Sequence, residues 1–207
     1  MIDFKLYVII DRKSSGGRDL AYLAQEAISG GADIIQLRDK DTSASEILKV
    51  GRVIRDLTHK KKIPFIINDR VDIAVALDAD GVHLGQDDLP IEAARSMMGS
   101  EKLIGLSTHS LPQALDAEKK GADYIGVGPI FSTPTKPDYR AVGIDLIREV
   151  RDKIKIPFVV IGGIDESNID EVIAAGARRV AVVRAVCGAK DVRVAAERLK
   201  ERLNPKG

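Results

Sequence analysis

Short apolar runs recur along the chain, and within each run apolar residues follow one another instead of alternating with polar ones. They are Lys5–Ile10 (KLYVII), Asp33–Arg38 (DIIQLR), Pro64–Asn68 (PFIIN), Gly81–Gly85 (GVHLG), Leu103–Ser107 (LIGLS), Tyr124–Gly128 (YIGVG), Pro157–Gly162 (PFVVIG) and Arg179–Val183 (RVAVV). Continuous runs of this length suit parallel strands covered on both faces. The segments between them have helical spacing: Arg18–Ser29, Ser43–Lys60, Val71–Leu77, Ile91–Met98, Leu111–Lys120, Ile144–Lys153, Ser167–Ala175 and Asp191–Arg202. The second opens on TSASE, in which a hydroxyl cap precedes Glu46 by three residues. Three segments close on a repeated phrase, GGADIIQ, KGADYIG and AGARRVA, where glycine ends the helix and the next strand begins.

Eight strand–helix beats in 207 residues predict a closed (β/α)8 TIM barrel, one catalytic domain over 1–207. The competing architecture is an open doubly wound sheet. It calls for a glycine-rich turn after the first strand, and IIDRKSSGGRD is a poor match to that pattern. A 44% apolar composition suits one sizeable core. Lys and Arg number 32 against 31 Asp and Glu, so no basic excess points to nucleic acid. Cys187 is the single cysteine, so no internal disulfide forms, which fits a reducing compartment. The opening stretch MIDFKLYVIIDRK is too short for a membrane span and lacks the features of a leader, so a cytoplasmic protein with no membrane partner is expected.

A barrel of this kind does its chemistry at the C-terminal ends of the strands. Polar residues crowd those ends here: Asp11, QLRDKD (Gln36–Asp41), NDR (Asn68–Arg70), HLGQDD (His83–Asp88) and STH (Ser107–His109). Arg38, Lys40 and Lys136 form a cationic set, and Asp69, Asp87 and Asp88 an anionic one. Both signs at one mouth suggest an anionic substrate bridged by Mg2+, with carboxylates giving the cation a few oxygens and phosphate or water the rest. IGGID (Ile161–Asp165) and VVRAVCG (Val182–Gly188) sit where barrels commonly cradle a phosphate on backbone N–H groups. The sixth strand is followed by GPIFSTPTKPDYRAVG, longer than the roughly 2–6 residues such a connection needs. The site thus reads as holding two phosphorylated small molecules, one chelated to metal, with diphosphate as leaving group.

Plainer readings apply to several of these residues. Asp69 taken alone reads as a helix cap, and only with Asp88 and Lys136 at the same mouth as a metal ligand. Asp87 reads as exposed, His83 as a hydrogen-bonded packing residue, His109 as a neighbour of the site, and His59 as a helix-end surface group. Cys187 reads as a small buried hydrophobe. Thr133-Pro-Thr could be turn chemistry alone, but for the lysine beside it.

The stretches QLRDK, NDRVDIAVALDADGVHLGQDDLP, GLSTH, GADYIGVGPIFSTPTK and PFVVIGGI resemble the thiamine-phosphate synthase (thiamine-phosphate pyrophosphorylase) family, from the first strand to the eighth. The resemblance implies a barrel transferase that joins 4-amino-2-methyl-5-hydroxymethylpyrimidine diphosphate to 4-methyl-5-(2-phosphoethyl)thiazole, releasing diphosphate. It implies that Gln36, Arg38, Lys40 and Asn68 contact the pyrimidine diphosphate, with Leu37 and Asp39 in the same segment, and that Asp69 and Asp88 hold Mg2+. Ser107 and Lys136 would bind the diphosphate end. Thr133, Thr135, Gly163 and the Val183-Arg184 backbone would bind the thiazole phosphate. Arg38, Lys40, Ser107 and Lys136 are the implied catalytic set. Arg184 departs from the pattern, since the family usually carries serine there. Two other readings predict different losses. A thiazole tautomerase on the same barrel would not need the whole diphosphate set, and a non-catalytic phosphate-binding barrel would have degraded metal ligands.

Overall fold

A computed structural model describes residues 4–133 and 140–204. Its strands are β1 (Leu6–Asp11), β2 (Ile34–Arg38), β3 (Phe65–Asn68), β4 (Gly81–Leu84), β5 (Leu103–Thr108), β6 (Tyr124–Val127), β7 (Phe158–Ile161) and β8 (Val180–Val182). All pair in parallel in chain order, and β8 returns to β1, so the sheet is a closed barrel and the open alternative is ruled out. Each strand lies within a residue of its apolar run.

The helices α1 (Leu20–Ser29), α2 (Ala44–Lys61), α3 (Val71–Ala76), α4 (Ile91–Met98), α5 (Leu111–Lys119), α6 (Asp145–Lys153), α7 (Ile169–Ala174) and α9 (Val192–Leu203) match the expected segments. Ser43 caps α2 by accepting from the Glu46 N–H at 3.3 Å. The glycines of the repeated phrase, Gly31, Gly121 and Gly176, all take positive φ, and a strand follows at once. One helix was not expected from the sequence: α8 (Arg184–Cys187), a single turn directly after β8.

The strand period of two divides the core into two apolar compartments. Leu6, Val8, Ile10, Ile35, Leu37 and Val82 face outward into the layer under the helices. Tyr7, Ile9, Ile34, Ile66, Tyr124, Val159 and Ala181 fill the barrel's interior, with Phe4 among them. Both sides of the strands are therefore buried, which is why their sequences do not alternate. Toward the C-terminal ends the inward phase turns polar, and the paired residues there are Asp11 with Arg38 and Asn68 with His83. Cys187 is buried, donates its thiol to Ile9 O at 3.3 Å and has its pKa pushed up to about 12 by burial. It is a packing residue, as expected. No helix among the described residues is long and apolar enough to cross a membrane.

Gly81 begins β4 hard against the neighbouring strands. A Cβ there would lie 2.4 Å from Leu103 O and 2.9 Å from Ile66 Cδ1. Overpacking of this sort costs about 1–3 kcal/mol, or several degrees of Tm at this chain length. Gly81→Ala should lower Tm by that much in a thermal melt, and an unchanged melt would refute the packing account.

Candidate functional site

A cavity of about 400 Å3 opens at the C-terminal mouth of the barrel. Its lining brings together Gln36, Arg38, Asn68, Ser107, Thr133, Gly163, Val183 and Arg184, eight of the residues singled out in the sequence. Thr135 and Lys136 lie outside the described residues. Leu37 does not face the cavity. It has the opposite strand phase to Gln36 and Arg38, and its side chain is packed in the layer beneath the helices. Asp39 is also turned away from solvent: its enclosed carboxylate accepts from Arg12 Nε at 2.5 Å and holds the ends of β1 and β2 together.

Arg38 is set by Asp11. The two are register partners, Asp11 is 1% exposed, and the guanidinium donates to its carboxylate. The other oxygen of Asp11 accepts from the Ser14 N–H at 2.9 Å. A guanidinium held from one side in this way offers its remaining N–H groups in a fixed direction, which suits a phosphate.

Lys40 extends beyond β2 and its Nζ meets Asp69 Oδ2 at 2.7 Å. Asp69 takes φ 60°, a conformation uncommon outside glycine. There its N–H donates to His83 O at 2.8 Å, and the Arg70 N–H donates to Asn68 O at 2.7 Å. Asp69 does not cap α3: the residue preceding that helix is Arg70, and no side chain at that position caps it. Asp88 folds back to accept from the Gly85 N–H at 2.7 Å. A Cβ at residue 85 would lie 2.9 Å from that carboxylate oxygen, so glycine makes the return possible. Burial raises the carboxyl of Asp88 above its ordinary pKa. Its hydrogen bond with the Asp69 carboxyl raises it further, and Lys40 opposes the shift. Asp87 is exposed, as expected.

Two adjacent carboxyls make a pair of hard oxygen donors. Among the described residues no group of three or more acidic, histidine or cysteine side chains is arranged to hold a metal. Mg2+ characteristically takes one or two carboxylates and keeps its other positions for water and phosphate oxygens. The Asp69–Asp88 pair fits that ion and does not resemble an all-protein cage.

The far side of the mouth is built from the connections after β6, β7 and β8. The Ile130 N–H donates to Ile161 O at 2.8 Å and the Phe131 N–H to Gly162 O at 3.0 Å, so the two connections run side by side. Returning, the Val142 N–H donates to Pro129 O at 2.8 Å and the Gly143 N–H to Ile130 O at 3.2 Å. Gly162 has φ 103°, and a Cβ on it would lie 2.4 Å from Pro129 Cα. On Gly163 it would lie 2.8 Å from Phe131 Cβ. These glycines are required by the contact between two protein segments, a stronger demand than the room for phosphate that the sequence suggested. Val183 and Arg184 line the cavity at the start of α8, and Arg184 is exposed.

The floor of the cavity contains a hydrogen-bonded set that sequence reasoning missed. Gln36 Nε2 donates to Tyr7 Oη at 2.7 Å, and Tyr7 Oη lies 3.0 Å from Tyr124 Oη. Tyr124 Oη lies 3.1 Å from His83 Nδ1, and His83 Nε2 lies 2.9 Å from Ser107 Oγ. His83 is thus the hydrogen-bonded residue expected, with one bond to a candidate binding residue. His109 Nδ1 bonds Gly128 O at the rim. The tyrosines gave no signal in the sequence, because within apolar strands they read as core.

The comparisons with known proteins agree with one another. A family model described as thiamine monophosphate synthase matches residues 6–186. The thiamine-phosphate synthase of Shouchella clausii is 50% identical over 200 residues, 96% of either chain. That of Chloroflexus aurantiacus is 48% identical over 97% of this chain and 93% of its own. Among solved structures, the thiamine phosphate pyrophosphorylase of Pyrococcus furiosus superposes with a TM-score of 0.89 at 42% identity, covering 97% of this chain and 96% of its own.

The carboxyl pair makes a prediction that needs no substrate. A carboxyl whose folded pKa is raised stabilises the fold below its unfolded pKa, and that contribution is lost as pH rises through the folded value. Without metal, Asp88→Asn should therefore raise Tm at neutral pH, with the gain vanishing at acidic pH. Added Mg2+ should raise the Tm of the unmodified protein and leave that of Asp88→Asn unmoved. An equal Mg2+ shift in both would remove Asp88 from the metal site.

Proposed function

The chain belongs to the thiamine monophosphate synthase family, and we propose on that footing that it joins the pyrimidine diphosphate to the thiazole phosphate to give thiamine monophosphate and diphosphate. As a thiamine-phosphate synthase it is a transferase of thiamine biosynthesis, and the tautomerase reading is not favoured. The observation that carries the site assignment is the charge pattern of the mouth. Arg38 is fixed by Asp11, and Lys40 bridges to Asp69 beside Asp88, next to a cavity of small-molecule size.

The reaction breaks the bond between the methylene carbon of the pyrimidine and its diphosphate oxygen, then forms one from that carbon to the thiazole nitrogen. Ionisation comes first, with the amino-pyrimidine stabilising the methylene cation, so the protein's main task is to receive a leaving anion. Arg38, Lys40 and Ser107 do this with preset donors, and Lys136 is proposed to join them. Asp69 and Asp88 would hold Mg2+, which when bound supplies positive charge to the diphosphate oxygens. Gln36 and Asn68 hold the pyrimidine. Thr133, Thr135, Gly163 and the backbone at Val183-Arg184 hold the thiazole phosphate on the opposite side, with the Arg184 side chain adding a charge. Keeping both reactants in one cavity removes much of the entropic barrier to their meeting. No nucleophilic side chain is required. The chain is taken as one catalytic unit acting in the cytoplasm on small molecules, with no nucleic-acid or membrane partner.

Purified protein mixed with both substrates and Mg2+ should form thiamine monophosphate, detected by its fluorescence after oxidation. Product formation should require each of the three components and cease on chelation. Arg38→Ala and Lys136→Ala should each lower kcat roughly 10²–10³-fold, as loss of one preset charge donor does elsewhere, with the circular dichroism spectrum unchanged. No product, with thiazole phosphate binding intact, would move the assignment to the tautomerase.

A further inference from the structure

The polar set on the cavity floor draws one side chain from each of five strands: Gln36 on β2, Tyr7 on β1, Tyr124 on β6, His83 on β4 and Ser107 on β5. Such a set inside a barrel needs space, and two glycines provide it. In register, His83 pairs with Gly105 and Gly105 with Tyr124. His83 and Tyr124 are thus two strands apart, on the order of 10 Å at the backbone. Their rings meet over the empty position, with centroids 5.4 Å apart. A Cβ on Gly105 would lie 2.2 Å from Tyr124 Cζ and 2.5 Å from His83 Nδ1. One on Gly126 would lie 3.2 Å from His83 Cε1. The backbone is shaped to let these four bonds form.

Donor counting gives the chain of bonds a direction. Nε2 of Gln36 only donates, so Tyr7 Oη accepts; sending the Tyr7 hydrogen on to Tyr124 Oη is the direction in which the hydrogen of this buried phenol is also satisfied. The Tyr124 hydrogen then goes to His83 Nδ1, which must be bare, and the proton of His83 resides on Nε2 and is given to Ser107 Oγ. The Ser107 hydrogen is left to point into the cavity. Counting from the other end gives the same result. Diphosphate oxygens only accept, so a Ser107 bound to them must donate, and its bond to His83 must be one it receives. Burial raises the pKa of both phenols, so each keeps its one hydrogen.

We propose that Tyr7, Tyr124 and His83 are positioning residues that form a one-directional hydrogen-bond relay, fixing Gln36 with its carbonyl oxygen toward the cavity as an acceptor and Ser107 as a donor. The inference rests on the reading that these two residues face the pyrimidine diphosphate. The relay ties the two ends together. A ligand whose ring edge donates to Gln36 and whose tail accepts from Ser107 satisfies both, as an amino-pyrimidine diphosphate does. Reversing either end forces every hydrogen in the relay to reverse. A pyrimidine with an oxo group in place of the amine presents an acceptor to an acceptor and is rejected.

The test is steady-state kinetics on Tyr7→Phe and Tyr124→Phe, varying each substrate in turn. The ring is retained and only the hydroxyl is lost. Both variants should lose roughly tenfold or more in kcat/KM for the pyrimidine diphosphate, while KM for the thiazole phosphate stays within about twofold. Folded variants with undiminished kcat/KM, or with equal losses for both substrates, would overturn the relay. Gln36→Ala and Ser107→Ala separate the inference from the reading beneath it. If they too are fully active, that reading falls and the relay with it; if they are impaired while the Phe variants are not, only the relay falls. A second measurement needs neither substrate nor variant folding. The 15N spectrum of histidine-labelled protein at neutral pH should show His83 protonated on Nε2 and bare on Nδ1. The opposite tautomer, or a doubly protonated ring, would overturn the proposal.

Discussion

Closing eight parallel strands into a barrel leaves no strand with a solvated face. Every residue of such a sheet meets either the helices or the residues across the interior, and a polar group on either side must find a partner there. Relief comes only at the ends, where the strands run out and water enters. Arg38 lies two residues beyond Gln36 on the same strand phase, and it reaches the mouth while Gln36 is bound into the interior. The same constraint requires Asp11 to be paired, since at 1% exposure an isolated carboxylate would carry a large desolvation cost. The pairing that satisfies Asp11 is also the one that aims Arg38.

The constraint decides what the sequence reveals. Strands were legible because burial on both faces gives runs such as Leu6–Ile10 and Phe158–Ile161 that only a covered parallel strand explains. Helix starts were legible where a side chain caps them, as at Ser43, because the cap is local in sequence. The candidate residues at the strand ends were legible because polar side chains there break an apolar pattern. Tyr7 and Tyr124 break no pattern, and their role depends on Gly105, which lies on a third strand and reads as filler. The turn α8 is four residues long, too short for periodicity to mark it. Leu37 entered the candidate list as part of a matching segment, and strand phase turns its side chain away from the cavity.

Gly162 and Gly163 answer to a contact that the sequence does not show. In the sequence the glycines after the seventh strand read as room for a bound phosphate. The positions are also filled by Pro129 and Phe131, which occupy the space any Cβ would take. Chain packing alone therefore requires glycine at this turn. Asp69 differs in that it has no glycine's freedom yet takes φ 60°, and its backbone is held there by the bond to His83 O. That bond links the loop carrying Asp69 to the strand carrying the histidine of the floor.

Pro129 and Ile130 meet Val142 and Gly143 across two backbone hydrogen bonds, and the same stretch is pinned to the β7 connection through Ile161 and Gly162. The chain before Thr133 and the chain from Val142 onward are therefore joined in a fixed neck. The neck gives the stretch leading to Thr133 a fixed point of departure from the barrel, set by backbone bonds that do not involve the elements carrying Arg38, Asp69 and Asp88.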